Sequence, residues 1–311
     1  MFSISIGRAL FPCVFFLLAG HTRAETPASQ PSAQADWPQK VTVTVGDIRT
    51  RIEEAKLWTL SGIDFQNTVM ATEESAYGTV ITIRGVGHLG TAHFLDVPGK
   101  PGEIEKENVT SLQFFVDGKA VKDFTPTMNL SGTTFRMERR SKIRALDLES
   151  TVLIQEGVLI ETQHWHATKA IDLRMSYPLM YAWTPAATHF AVGDDSGILQ
   201  RGVFRKEGKG DDGGLNKTAR WMAVFDAANG RGSVCYLLKH PADADGWLQW
   251  SDAPGIYRKL RIMTFVEKIV PEGFEGTYQS AVGFFSATEA DWEQQAQRRA
   301  EELKTSGARQ F

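Results

Sequence analysis

Short runs of β-branched and aromatic residues recur along almost the whole chain, and no amphipathic helical stretch separates them. Twelve stand out: Val41–Val45, Thr79–Arg84, Ser111–Val116, Thr133–Ile143, Ala145–Ile154, Val158–Ala167, Ile171–Trp183, Ile198–Lys206, Trp221–Phe225, Ser233–Lys239, Tyr257–Val266 and Thr277–Phe285. Strands joined by short turns pair antiparallel, because a parallel pair needs a crossover connection that is usually helical. The expected fold class is therefore all-β: a large, mostly antiparallel β-sandwich with no βαβ unit.

Alternation within the longer runs separates a buried from a polar face. In Thr133–Ile143, Phe135, Met137 and Ile143 oppose Arg136, Glu138, Arg140 and Lys142, so the odd positions should face inward. In Ile171–Trp183 the odd positions from Ile171 to Trp183 form one apolar face, opposite Asp172, Arg174 and Ser176. Between Ile154 and Val158, Gln155-Glu156-Gly157 is expected to be a three-residue hairpin loop. The one helix expected is C-terminal, over 288–304, with Thr288 and Asp291 forming its cap and Trp292, Ala296, Ala300 and Leu303 its apolar stripe.

Arg8, the apolar run Ala9 to Gly20 and then Thr22-Arg23-Ala24 have the order of a secretory signal, too short to span a bilayer. The expected organisation is a signal peptide at 1–24, a Pro-, Ser-, Gln- and Ala-rich flexible lead-in at 25–40, and a single sandwich domain with its helix at 41–311. Such a protein would be secreted or periplasmic and free of the membrane after cleavage. Loss of Arg8 and Arg23 takes 34 basic residues to 32 against 37 acidic ones, a balance that gives no reason to expect nucleic acid as a partner. Cys235 is then the only cysteine besides Cys13 of the apolar run, and its setting in Val234 to Leu238 suits a buried, unreactive thiol.

Several residues could carry chemistry. In Gln163-His164-Trp165-His166 the two histidines lie two apart and share one strand face, while Glu161, Gln163 and Trp165 share the other. The second set puts a carboxylate, an amide and an indole side by side, groups that suit stacking on a sugar ring and bonding its hydroxyls. Arg136, Glu138, Arg140 and Lys142 could hold an anionic glycan, or could pair with Asp147 and Glu149 as an ordinary solvated sheet face. Tyr257, Lys259 and Arg261 form a similar mixed face. Gly85-Val-Gly87-His-Leu-Gly90 matches a dinucleotide fingerprint in form only, since no helix can open at the third glycine. Its glycines instead suit a tight loop presenting His88 and His93. No G-x-S-x-G, H-E-x-x-H or paired C-x-x-C occurs, and no motif requires a cofactor.

A dozen strands with long polar faces in a domain of this length resemble the galactose-mutarotase-like supersandwich group, over most of residues 41–287. That group includes mutarotases, related epimerases and accessory domains of polysaccharide lyases; the Asn-Arg signature of true mutarotases is missing here. The resemblance implies a site on the concave polar face of the larger sheet and a carbohydrate or oligosaccharide partner. It further implies acid-base chemistry by His164 or His166 with Glu161, on a sugar held by Trp165, Arg136, Arg140, His88 and His93. Two alternatives stand beside this reading: a glycan-binding module without catalysis, and a metal site built on His88, His93, His164 and His166.

Overall fold

Alternating burial along the strands sorts the chain into two layers. The computed structural model describes residues 37–72, 78–91, 105–205, 207, 211–215, 218–242 and 247–308; the expected signal and nearly all of the lead-in lie outside them, as does His93. All twelve expected runs are strands, within a few residues at each end, and ten further strands lie among the described residues. Most of the extra ones are short or glycine-containing, such as Thr59–Phe65, Thr68–Ala71 and His189–Asp194.

The ten-stranded sheet runs Gly197–Val203, His189–Asp194, Trp221–Asp226, Arg231–Lys239, Glu275–Ser286, Val158–Ala167, Leu146–Gln155, Thr134–Ile143, Asn108–Val116 and Lys119–Ala120. The twelve-stranded sheet runs Asp211–Gly214, Trp247–Ala253, Tyr257–Thr264, Ile171–Trp183, Thr68–Ala71, Thr59–Phe65, Ile48–Glu53, Lys40–Val45 and Thr127–Gly132. Lys268–Val270 and Val80–Ile83 also pair with Ile171–Trp183, and Gly87–His88 extends Val80–Ile83. The pairings are antiparallel except for Lys40–Val45 against Thr127–Gly132, which is parallel. The protein is an all-β sandwich.

The main core fills the space between the sheets, with Ile48, Phe114, Phe135, Trp165, Tyr181, Trp183, Leu260 and Tyr278 among its members. A second apolar cluster lies on the outside of the ten-stranded sheet, where the C-terminal helix docks Trp292, Ala296, Ala300 and Leu303 against Val158, Ile160, Phe225 and Phe285. The Trp292 ring stacks on Phe225 at 5.5 Å. This helix spans Trp292–Ala308 rather than 288–304. Thr288 and Asp291 form the expected cap at its entry, with the Thr288 N–H donating to the Asp291 carboxylate at 2.7 Å and the Trp292 N–H to the Thr288 carbonyl at 3.1 Å.

Two local readings are corrected and one is extended. Gln155 pairs with Val158, so the hairpin loop is the two residues Glu156 and Gly157, both at positive φ (50° and 72°), as a type I′ turn requires. Inward-facing odd positions in Thr134–Ile143 include Arg139 as well as the apolar residues. Its guanidinium forms a buried ion pair with Glu107 at 2.7 Å and donates to the Leu57 carbonyl at 2.8 Å. Finally, Ile171–Trp183 does not keep one apolar face. Its pairing slips between Leu173 and Met175 on one edge and between Ser176 and Leu179 on the other, where Pro178 has no N–H to offer the ladder. Ile171, Leu173, Leu179, Tyr181 and Trp183 remain in the core between the sheets, whereas Tyr177 and Met175 join a third cluster outside it.

Candidate functional site

The phase of Val158–Ala167 decides the fate of the first set of candidates. Leu159, Glu161, Gln163, Trp165 and Ala167 point between the sheets, and Thr162, His164 and His166 point to the outer face of the ten-stranded sheet. Glu161 therefore cannot share a substrate with either histidine, because the sheet separates them. Trp165 is 0% exposed and packs edge-on to Tyr278 at 5.4 Å, so it offers no stacking surface to a ligand. Gln163 donates to the Ser150 hydroxyl at 2.7 Å in the same interior.

Around Glu161 this interior is polar but closed. The Tyr181 hydroxyl donates to its carboxylate at 3.1 Å and lies 2.7 Å from the Ser280 hydroxyl. Burial pushes the Glu161 carboxyl up to about 7, against the smaller opposing effects of the Tyr181 bond and Arg139. The Tyr181 hydroxyl and the Cys235 thiol are pushed up as well, by burial first and then by Glu161, which keeps both neutral. Cys235 is the buried, unreactive thiol its strand context suggests.

On the outer face of the ten-stranded sheet, Arg136 pairs with Glu138 and sits over the Phe115 ring at 4.1 Å. Arg140 meets Glu149 at 3.2 Å and Lys142 meets Asp147 at 3.0 Å. His166 approaches Asp147 at 3.9 Å, and His164 bonds the Thr277 hydroxyl at 3.1 Å. Arg140 and Glu149 are 69% and 55% exposed, so this is a solvated sheet face whose charges offset one another across strands. His88 stands on the other sheet, which separates it from His164 and His166 and dissolves the proposed four-histidine cluster. Among the described residues no group of three or more metal-binding side chains converges.

The outer face of the twelve-stranded sheet is different. Leu260, Ile262 and Thr264 point into the core, Thr264 bonding Tyr278 at 3.1 Å, so Lys259, Arg261 and Met263 point outward. Met263 packs with Val80, Tyr177 and Met180, and Met175, Trp247 and Val266 flank them. Register brings these groups together: Trp247 opposite Met263, Gln249 opposite Arg261, Arg261 opposite Met180, Tyr177 opposite Val80, Met175 opposite Thr82, and Thr82 opposite His88. The Arg261 guanidinium lies over the Tyr177 ring at 5.8 Å, and the Lys259 ammonium over Tyr257 at 4.6 Å.

At the other end of this band His88 is half-buried, with Nδ1 2.8 Å from the Thr82 hydroxyl. Burial lowers its pKa and the positive charge of Arg174 lowers it further, leaving a neutral imidazole at neutral pH. The two pairing slips in Ile171–Trp183 build this arrangement, since they turn Arg174, Met175 and Tyr177 to the outer face together. Bulges of this kind re-aim side chains beside functional sites. The fingerprint-like glycines serve a hairpin: Gly85 and Gly87 adopt φ of 75° and 103° between paired strands, and His88 follows directly. Sequence reasoning reached His88 and the Tyr257, Lys259, Arg261 face separately. It missed Tyr177, Met180, Met263 and Trp247, because a strict alternation put Tyr177 inside.

No family model and no curated protein matches the chain. Among solved structures it is similar to the galactosidase domain of an alpha-galactosidase–sucrose kinase, at 6% identity over 80% of this chain and 41% of that one, with a TM-score of 0.50. It is also similar to a protein of Synechocystis, at 9% identity over 81% of this chain and 97% of that one, with a TM-score of 0.49. A galactose mutarotase-like protein from Lactobacillus casei follows at 8% identity, 79% and 100% coverage and a TM-score of 0.48. At these identities the likeness is one of fold and brings no activity with it.

Proposed function

We propose that this is an exported carbohydrate-directed protein that takes its sugar on the outer face of the twelve-stranded sheet. One observation carries the reading: over a buried cluster of Tyr177, Met180 and Met263, the half-buried side chains of Trp247, Met175, Gln249, Arg261 and His88 lie on one sheet face outside the core. The half-buried Trp247 and Met175 offer an aromatic and apolar floor to a sugar ring, and a margin of donors and acceptors meets its hydroxyls. The charge-balanced face of the other sheet has no such floor. Export rests on the signal-like order of the first two dozen residues.

The test is the melting temperature of the chain against a panel of neutral and acidic sugars, because ligand binding to the folded state raises it by mass action. Trp247→Ala and Gln249→Ala should remove the response, while Arg140→Ala and His164→Ala on the other sheet should leave it. A sugar response lost with Arg140→Ala but kept in Trp247→Ala would refute this placement.

His88 favours a catalytic form of the same reading. With Glu161 sealed inside, epimerase- or lyase-like proton transfer has to draw on His88 rather than His164 or His166. Its neutral imidazole, oriented through Nδ1 by Thr82, suits that role. Product formation abolished by His88→Ala and kept in His166→Ala would support it; no product from any sugar that binds would leave a glycan-binding module.

A further inference from the structure

The strand slip between Leu173 and Met175 leaves Arg174 as an extra residue, exposed on the outer face beside His88. Its neighbours of opposite charge are already committed. Arg84 holds Asp172 at 3.0 Å and Glu267 at 2.6 Å, which leaves the Arg174 guanidinium with no ion pair among the described residues. A second cation, Arg261, stands across Tyr177 on the neighbouring strand.

We propose that the sugar taken by this face carries an acidic group, a carboxylate or a sulfate, seated between the Arg174 guanidinium and the His88 imidazole. This rests on the reading of the face as a sugar site and names the class of sugar. Guanidinium offers paired N–H donors that match carboxylate and sulfate oxygens, and a partner anion is what a guanidinium beside an imidazole lacks. The geometry also sets a pH dependence. The free protein keeps His88 neutral because it is half-buried and next to Arg174; a bound anion reverses the sign of its surroundings and favours the imidazolium. Arg84, in the turn after Val80–Ile83, with Asp172 and Glu267 forms a group of net charge −1 that holds its own ion pairs, and Thr82 is neutral, so Arg174 is the cation that the bound anion would offset beside His88. Affinity for an acidic sugar should therefore rise as pH falls from neutral towards about 5.5, a range in which carboxylate and sulfate stay ionised.

The experiment is calorimetric titration of the full chain with neutral hexoses, hexuronates and 6-sulfated hexoses at two pH values, with Arg174→Gln and Arg174→Lys alongside. The expected result is binding of an acidic sugar at least about tenfold tighter than its neutral counterpart, the magnitude of a hydrogen bond to a charged group. The preference should widen at the lower pH, vanish in Arg174→Gln and return in part in Arg174→Lys. A hexuronate response without a sulfate response, or the reverse, tells the two anions apart and supports the proposal. Equal affinity for acidic and neutral sugars overturns it and leaves the sugar site standing, whereas no sugar binding at all overturns both. Arg174 is exposed, so its replacement leaves the fold intact.

Discussion

Replacing Glu161 by glutamine should make the protein more stable at alkaline pH. The carboxyl sits between the sheets, 4% exposed, with the Tyr181 hydroxyl as its hydrogen-bond donor. Its pKa rises from an ordinary 4.5 to about 7 on folding, so between those values the folded state holds a proton that the unfolded chain releases. Stability from this group is fully present below about pH 4.5 and is lost as pH rises through 7. At about 1.4 kcal/mol per pKa unit, the loss amounts to about 3 kcal/mol by pH 8. Glutamine keeps the acceptor for Tyr181 and cannot ionise. Equilibrium denaturation followed by tryptophan fluorescence from pH 4 to 9 measures both proteins. The difference between them should shift by about 3 kcal/mol in favour of Glu161→Gln between pH 4 and pH 8, or roughly 6 °C in melting temperature for a domain of this size. Other titrating groups contribute equally to both and cancel. A difference that stays constant with pH would refute the account of Glu161 as a buried, protonated acid.

Trp165→Ala should cost about 3–5 kcal/mol in denaturant unfolding, the price of a cavity under Tyr278. Glu107→Gln should lower stability by about 3–5 kcal/mol, because it strands the Arg139 guanidinium in the core. The double replacement Glu107→Leu with Arg139→Met should recover most of that loss by the same assay, since no buried charge is then left unpaired.

The strand runs and their turns were legible because each is a local property: β-branched and aromatic side chains between turn formers. The helix stripe Trp292, Ala296, Ala300 and Leu303 was legible for the same reason, and all four are buried where expected. The cap formed by Thr288 and Asp291 is where the sequence put it, and the regular helix follows from Trp292. The candidate site was harder to see. Its parts come from the strands Val80–Ile83, Gly87–His88, Ile171–Trp183, Trp247–Ala253 and Tyr257–Thr264, and only pairing register brings them side by side.

Val158–Ala167 was assigned to its residues without error, yet its period-two pattern left both faces open, with Ile160 and Thr162 on one side and Glu161, Gln163 and Trp165 on the other. The pairing of Val152 and Ser280 beside Glu161 turned the more polar face inward, because those neighbours belong to the space between the sheets. In Ile171–Trp183 the alternation was clear and still misleading, since two slips in pairing rotate Met175 and Tyr177 out of the core. The sequence by itself determined that this chain builds strands, where most of them run, and that a helix with the stripe Trp292, Ala296, Ala300 and Leu303 follows them. Tertiary structure alone decided which face of each strand meets the other sheet, because that choice depends on the partners a strand finds and on the bulges they impose.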